Sequence, residues 1–141
     1  MLEILNRYHE DGWLIKQTHP TLDLTIWNYS PRVQYERQWD DITIQCRGLV
    51  TNSKGEIVAR PFKKFFNYEE HKPEDLPNEE FVVYEKMDGS LGILFYYENE
   101  WILATRGSFT SEQSIKGTEM LKKYPLEKLD RNNTYLFEII Y

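Results

Sequence analysis

The sequence predicts an α+β fold built mainly on antiparallel sheet. Short apolar segments recur along the chain between turn signals, which is typical of strands joined by hairpins. Only two segments show helical features. Of the 141 residues, 40% are apolar and 15% are aromatic. This composition is sufficient for a packed core, so a disordered chain is excluded and one domain, or part of one, is expected.

The N-terminal third predicts one helix and one strand. Apolar residues at helical spacing between Leu2 and Tyr8 predict the helix, and Gly12 is a suitable end for it. Residues 22–27 alternate between apolar and polar, as in a half-buried strand. Residues 31–41 show no period and are expected to form a loop.

A hairpin and a polar connector are predicted next. Residues 42–52 are expected to form a strand with a break near Arg47-Gly48. The turn signal Ser53-Lys54-Gly55 predicts a return over residues 57–62. Residues 69–80 contain six acids and two prolines, which favours a solvated connector.

The remaining residues predict four strands and one helix. Asp88-Gly89 is a hairpin turn signal between the first two strands. Thr110-Ser111-Glu112-Gln113 fits a capping box, so a helix is expected from Ser111 to about Lys123. The strands are expected over residues 81–87, 91–97, 101–105 and 134–141.

The chain stops inside the last apolar strand, whereas domains more often end in a polar tail. The expectation is therefore one partial domain over residues 1–141, incomplete at its C-terminus. Within it, residues 1–41 would form a helix and strand region, and residues 42–141 a sheet that bears the motifs.

Charge and cysteine content exclude several classes of protein. The formal charge is 17 − 23 = −6, which argues against coating nucleic acid through bulk positive charge but leaves room for a basic cleft. The single cysteine, Cys46, excludes an internal disulfide framework and a cysteine cluster for zinc. No apolar run is long enough to span a bilayer, and the first residues are polar. A cytoplasmic setting without membrane partners is expected.

The segment Glu85-Lys86-Met87-Asp88-Gly89-Ser90 is the first candidate for chemistry. Strand alternation would place Lys86 and Asp88 on one face, with Val82 and Tyr84 behind them. Partial desolvation there would lower the pKa of Lys86 and make its amine a competent nucleophile. Gly89 would allow a ligand to approach closely. The alternative is an ordinary Asp-Gly hairpin turn flanked by a lysine.

Four further segments combine cations or a lone acid with glycines or apolar residues. The segment from Arg60 to Asn67 interleaves cations with aromatics, which suits phosphates and a flat base. Arg47 and Arg106 each precede a glycine, and Arg106 lies just before a predicted helix, as in anion sites. Glu138 lies in an apolar strand and should have a partner or a metal. For the segment from Arg60 to Asn67, the alternative is a strand whose lysines face solvent. For Arg47 and Arg106, it is an ordinary turn with a solvated arginine. For Glu138, it is a strand with one solvent-exposed face.

Five segments in one order resemble the ATP-dependent RNA ligases of the phage T4 RNA ligase 1 type. They are Cys46-Arg47-Gly48, residues 59–67, residues 85–91, residues 106–113 and residues 136–141. The resemblance covers roughly residues 45–141 and extends loosely to Ile26-Trp27-Asn28-Tyr29. It implies an antiparallel-sheet nucleotidyltransferase fold, an ATP-grasp-like ligase domain. Five ordered motifs are far more specific than one lysine motif.

The resemblance also implies a three-step reaction. A lysine attacks the α-phosphate of ATP, releasing pyrophosphate and leaving a lysyl-AMP adduct. The AMP moves to an RNA 5′-phosphate, and an RNA 3′-hydroxyl then attacks the activated end and releases AMP. The implied cofactors are ATP and Mg²⁺, and the implied partners are the two RNA ends. The sequence does not specify an oligomeric state.

Roles for the motif residues follow from the same resemblance. Lys86 would be the nucleophile, and Asp88 and Gly89 would shape the turn that holds it. Glu138 would contact the ribose of the nucleotide or support the metal. The cations would hold phosphate or sugar, and Phe66 would pack near the base. The cations in question are Arg47, Lys64 and Arg106.

Two later motifs of the family, one bringing an acid and one bringing paired lysines, are absent from the 141 residues. Because those lysines would stabilise the transition state, the chain alone is expected not to seal RNA and to adenylylate itself poorly. Two alternatives stay open. One is another covalent nucleotidyltransferase, such as a DNA ligase or a capping enzyme. The other is a nucleic-acid-binding module without catalysis.

Overall fold

The computed structural model describes residues 1–141 and contains seven strands and three helices, arranged in two antiparallel sheets. The elements are α1 (Leu2–Glu10), β1 (Leu14–Thr18), β2 (Thr25–Tyr29), α2 (Pro31–Glu36), β3 (Arg47–Thr51), β4 (Ile57–Ala59), β5 (Ser90–Tyr97), β6 (Glu100–Thr105), α3 (Glu112–Leu121) and β7 (Tyr135–Ile139). The predicted antiparallel α+β class is confirmed. None of the helices is long and apolar enough to cross a membrane.

The first sheet has the order β1-β2-β3-β4, with every neighbouring pair antiparallel. Helices α1 and α2 bury Leu5 and Val33 with Trp27 and Leu49 on one face of this sheet. The indole Nε1 of buried Trp27 donates a hydrogen bond of 2.8 Å to Thr51 Oγ1, so its polar atom is satisfied.

The second sheet has the order β6-β5-β7 and lies against the other face of the first. Ile26 and Val50 of the first sheet pack with Ile93 and Phe95 of β5. Strand β5 is central and buried, as its continuous apolar run predicts. The molecule is therefore layered as helices, sheet, sheet and helix α3. Strands β3 and β4 lie within residues 42–141, the region predicted to form one motif-bearing sheet, but they belong to the first sheet together with β1 and β2.

Helix α3 covers the outer face of the second sheet, where Met120 and Leu121 pack on Leu103 and Ile139. The predicted helix is present, but its N-cap is Ser111, whose side chain accepts a hydrogen bond from the Ser114 amide.

The structure corrects three predictions in the first half of the chain. Residues 31–36 form α2, not a loop, with Pro31 in its first turn. Strand β1 was missed because only Leu14 of its five residues is buried, which leaves no alternation to detect. The strand predicted from residue 42 begins at Arg47, because Thr43–Gln45 form a 3-10 turn.

The predicted strand over residues 81–87 is wrong. This segment forms no strand, and its side chains are exposed, with 84% exposure for Phe81 and 82% for Tyr84. Its composition favours a strand, but a strand needs a neighbour to satisfy its backbone, and neither sheet supplies one here. The acidic connector 69–80 is exposed, as expected.

Cys46 is expected to resist alkylation for as long as the protein is folded. Its side chain is fully buried, and burial together with the charge of Asp40 raises the pKa of its thiol to about 12. The thiolate is the reactive form, so native labelling at neutral pH should be negligible and denatured labelling rapid. Measuring maleimide incorporation by intact mass against urea concentration checks this. Stoichiometric labelling without denaturant would contradict it.

Candidate functional site

The ends of three strands meet at one end of the second sheet. In the register of β5 with β7, Ser90 lies opposite Ile139 and Leu91 opposite Glu138. On the other side of β5, Gly92 pairs with Thr105, the residue before Arg106. Adjacent strands lie about 4.8 Å apart, so the backbones at residues 106 and 138 are separated by roughly 10 Å across the start of β5.

Strand alternation directs these side chains toward the first sheet. Leu91 and Leu136 pack toward the core between the sheets, and Glu138 follows Leu136 by two residues on the same face. Arg106 follows Ala104 by two residues and therefore lies on the same face along the strand direction, and Ala104 is buried between the sheets. Strand alternation therefore places a cation and a carboxylate on the same face of the second sheet, at one end of it.

Gly89 directly precedes β5 and contacts β7 at this end. Its amide donates a hydrogen bond of 2.9 Å to Glu138 Oε1, so the lone carboxylate of the apolar strand has a backbone partner. A Cβ atom on Gly89 would lie 2.3 Å from the carbonyl oxygen of Ile139, closer than any real contact. Gly89 is thus required by close approach of the backbone of β7, whereas the sequence predicted close approach of a ligand or a tight turn.

Lys86 and Asp88 lie outside both sheets. Their side chains are 81% and 99% exposed, and Lys86 Nζ lies 3.5 Å from Asp88 Oδ1. The expectation that Val82 and Tyr84 would partly desolvate Lys86 is wrong, since both are themselves exposed. A free amine on an exposed segment is accessible to a ligand, but it gains no activation from burial in this arrangement.

Arg106 is held by two side chains of β2. Its Nε donates to Asn28 Oδ1 at 3.0 Å, and Asn28 Nδ2 donates to the Arg106 carbonyl oxygen at 2.8 Å. The guanidinium carbon lies 4.7 Å from the ring centroid of Tyr29. The two hydrogen bonds join residues that are 78 positions apart in the chain.

Arg47 begins β3 directly opposite Asn28. Its guanidinium carbon lies 5.3 Å from the ring centroid of Phe65, while its Nε is buried and has no hydrogen-bond partner. The Cα of Arg106 lies within 3.6 Å of a Cβ built on Gly48, so the two arginine-bearing segments are in contact. A buried donor without an acceptor is unfavourable, and an incoming anion would satisfy it.

Lys64 and Phe66 lie beside Trp39. Lys64 Nζ is 5.1 Å from the Phe66 ring centroid and 5.8 Å from that of Trp39. Trp39 meets Phe66 edge to face at 5.3 Å and Tyr29 at 4.8 Å. The aromatic series from Phe66 to Tyr29 therefore connects Lys64 with Arg106.

Hydrogen bonds to Asp40 hold the segment that carries Trp39. Asp40 Oδ2 accepts from the Tyr8 hydroxyl at 2.9 Å, and Oδ1 accepts from the Thr43 amide at 2.8 Å. Partial desolvation alone would raise the pKa of Asp40, but these hydrogen bonds outweigh it and the pKa lies below its usual value. The bond to Asp40, with desolvation, raises the pKa of Tyr8.

Two polar cavities adjoin these residues. One of about 770 Å³ is lined by residues that include Trp39, Lys64 and Phe66. The other, of about 360 Å³, is lined by residues that include Lys16 and Arg106. Lys86 lines neither.

The eight predicted site residues thus fall into two groups. One group, joined by aromatic and hydrogen-bond contacts, contains Arg47, Lys64, Phe66 and Arg106. The other, at the junction of β5 and β7, contains Lys86, Asp88, Gly89 and Glu138. Sequence reasoning missed Trp39 and did not assign a role to Asn28 or Tyr29. The available signals were the loose resemblance at residues 26–29 and a tryptophan in a mostly polar segment.

No group of three or more His, Cys, Asp or Glu side chains could hold a metal ion. The tentative metal role of Glu138 therefore has no neighbouring protein ligands to support it. Mg²⁺ commonly uses one or two carboxylates together with substrate phosphates and water. The residues accordingly fit an ion that arrives with phosphates, with Glu138 as the available carboxylate, and they do not fit a preformed protein cage.

Comparison with known proteins identifies the family. Residues 45–140 match the family model described as RNA ligase, of the T4 RNA ligase 1 type. The chain belongs to this RNA ligase family. The resemblance found in the sequence is therefore confirmed, and the matched residues contain all eight predicted site residues.

Relatives of this RNA ligase family member come from viruses and a bacterium. An inferred bifunctional polynucleotide kinase/RNA ligase of Autographa californica nuclear polyhedrosis virus is 33% identical over 80% of the chain and 18% of its own length. An inferred RNA ligase of Thermovibrio ammonificans is 35% identical over 68% of the chain and 28% of its own. The RNA ligase of Rhodothermus phage RM378 is 26% identical over 84% of the chain and 36% of its own length. The chain thus spans about a fifth to a third of the length of these relatives.

Proposed function

We propose that the chain carries the nucleotide-binding and adenylylated part of an ATP-dependent RNA ligase. Its fold would be the sheet framework of a covalent nucleotidyltransferase. The observation that carries the proposal is the match of residues 45–140 to the RNA ligase family, since this range contains Lys86 together with Arg47, Lys64 and Arg106. In the complete reaction, RNA 5′-phosphate and 3′-hydroxyl ends would be sealed.

The first step would be adenylylation of Lys86. Its neutral amine attacks the α-phosphorus of ATP, a phosphorus–nitrogen bond forms, and the bond to the leaving pyrophosphate breaks. The lysine loses its proton to solvent or to a nearby base. The AMP then passes to the RNA 5′-phosphate, which regenerates the amine, and attack by the 3′-hydroxyl releases AMP. Covalent catalysis of this kind divides one difficult displacement into easier ones.

Arg47 and Arg106 are proposed to hold the phosphates. Their segments are in contact, and the buried Nε of Arg47 lacks a partner that a phosphate oxygen would supply. Lys64 would hold phosphate or sugar beside Phe66, which would pack near the base. The half-buried ring of Phe66 and the adjoining cavity of about 770 Å³ support this placement.

Glu138 is proposed to contact the ribose or the metal. One of its oxygens accepts the Gly89 amide and so aligns the carboxylate beside the segment that carries Lys86. Mg²⁺, when bound, would withdraw charge from the phosphates as the amine attacks. Asp88 and Gly89 would set the direction in which Lys86 leaves the sheet.

The exposure of Lys86 makes a second part of the proposal necessary. Because residues 81–89 lie on the surface, Lys86 must fold over the bound nucleotide to reach the α-phosphate. That closure would supply the desolvation which the nucleophile lacks in this arrangement. The same exposure is what a binding module without catalysis would show, so that class remains the rival.

Intact mass of the chain after long incubation with ATP and Mg²⁺ tests the proposal. We expect a slow gain of one AMP, located at Lys86 by peptide mapping, and a smaller gain or none with GTP. GTP preference would indicate a capping-type enzyme. Salt-dependent RNA binding without any adduct, unchanged by Lys86→Ala, would favour the binding module and contradict adenylylation by this chain.

A further inference from the structure

We propose that Asn28 is the positioning residue for Arg106, through which it sets the affinity of the site for nucleotide phosphates. Asn28 contacts Arg106 twice, accepting from Nε at 3.0 Å and donating to the carbonyl oxygen at 2.8 Å. One carboxamide thus fixes both the backbone and the side chain of the same arginine. The identity of the ligand rests on the proposed function, whereas the contact between Asn28 and Arg106 is independent of it.

The position of Asn28 in the sheet explains how it reaches Arg106. Asn28 pairs with Ile15 on one side and with Arg47 on the other. Asn28 follows Ile26 by two residues, and Ile26 packs against the second sheet, so regular alternation directs Asn28 toward Arg106 at the end of β6. The ladder between β2 and β3 shifts register at this point, because Trp27 pairs with Leu49 and Asn28 with Arg47, which leaves Gly48 of β3 unpaired.

An arginine without such support is a poor phosphate receptor. Its long side chain loses much rotamer freedom when it is fixed, which opposes binding unless the folded protein has already restricted it. Asn28 fixes the Nε edge, and Tyr29 lies 4.7 Å from the guanidinium carbon. The two terminal nitrogens of Arg106 make no hydrogen bond within the protein, so they are the donors left for a phosphate.

The surroundings of Arg106 favour an anion as its ligand. The adjoining cavity of about 360 Å³ is lined by two cations, Lys16 and Arg106, and by three side-chain amides. No carboxylate lines it, although the chain carries 23 acids. The amides belong to Gln17, Asn28 and Gln34. A site of this composition accepts the oxygens of a phosphate without a competing negative charge.

A double-mutant cycle tests the inference. ATP affinity is measured by calorimetry for the unmodified chain, Asn28→Ala, Arg106→Ala and the double variant. We expect each single substitution to weaken binding about tenfold, and the double variant to be no weaker than Arg106→Ala alone, because Asn28 acts through Arg106. Asn28→Asp keeps an acceptor for Nε but places a carboxylate in the cavity, so it should weaken ATP binding at least as much as Asn28→Ala.

A spectroscopic measurement tests the contact between Asn28 and Arg106 in the absence of nucleotide. The Nε–H of Arg106 should give a resolved, slowly exchanging signal in a nitrogen–proton correlation spectrum, assigned by its loss in Arg106→Lys. Asn28→Ala should shift or broaden it. Asn52→Ala is the matched control, since Asn52 also bonds through its side chain, in the turn between β3 and β4. This variant should leave both the signal and ATP affinity unchanged.

The outcomes separate the two proposals. Additive losses across the cycle, or an Nε–H signal that Asn28→Ala leaves unchanged, would overturn the positioning role. Failure of the unmodified chain to bind ATP would overturn the proposed function, while the signal would still decide whether Asn28 holds Arg106. Resistance of Cys46 to labelling reports that each variant is folded.

Discussion

Replacing Lys86 with alanine is expected to abolish the AMP adduct while leaving the fold unchanged. The substitution removes the only atom proposed to bond to the α-phosphorus, so adenylylation should fall by at least about three orders of magnitude. The fold should not respond, because the side chain is 81% exposed and its one contact is to an exposed carboxylate. Intact mass after incubation with ATP and Mg²⁺ measures the adduct, and thermal melting measures the fold.

The control for this result is Lys72→Ala, which removes another exposed lysine from the same surface segment. It should keep the full adduct. Lys86→Arg should behave as Lys86→Ala does, because a guanidinium keeps the charge but stays protonated and is not a nucleophile. An adduct that persists in Lys86→Ala would place the nucleophile elsewhere, and normal noncovalent ATP binding in that variant would show that the site itself is intact.

Local pattern was sufficient for the second sheet and insufficient for the first. The apolar run of β5 and the turn at Glu98-Asn99 specify a hairpin whose residues all lie close in sequence, and each of its two strands begins one residue before the predicted strand. Strand β1 has no such signal, because it lies at an edge with four of its five residues exposed. Its place is set by pairing with β2, a tertiary contact.

The segment at residues 81–87 shows the opposite error. Its β-branched and aromatic residues predict a strand, yet the strand is absent, since propensity cannot replace a neighbour that supplies hydrogen bonds. Because this strand does not form, the expected burial of Lys86 is absent as well. Motif order predicts which residues form the site, whereas the environment of each one depends on contacts that no local pattern contains.

Asn28 and Tyr29 illustrate why the support of the site was not predictable. Both lie in a strand whose pattern reads as ordinary core, and their partner Arg106 is nearly eighty residues away. Trp39 joins the site in the same way, through contacts with Tyr29 and Phe66. Sequence spacing predicts which residues share a face of one element, and it is silent on which elements meet.

The contact between Gly89 and β7 makes Gly89→Ala the second substitution with a large expected effect. The added Cβ would lie 2.3 Å from the carbonyl oxygen of Ile139 and 3.1 Å from its carbonyl carbon. These are backbone atoms at the first pair of the β5–β7 ladder, so relief requires the two strands to separate rather than a side chain to rotate. We expect a loss of about 1–3 kcal/mol in unfolding free energy, measured in urea.

The same displacement should impair adenylylation beyond its effect on stability. Separation of the strands breaks the 2.9 Å bond from the Gly89 amide to Glu138, which aligns the carboxylate with the segment carrying Lys86. Gly107→Ala is the matched control for stability, because a Cβ there meets nothing within 4 Å and should leave the unfolding free energy unchanged. If Gly89→Ala melts like the unmodified chain and gains AMP at the same rate, β7 does not lie against residue 89. Glu138 would then have to reach the nucleotide without that support.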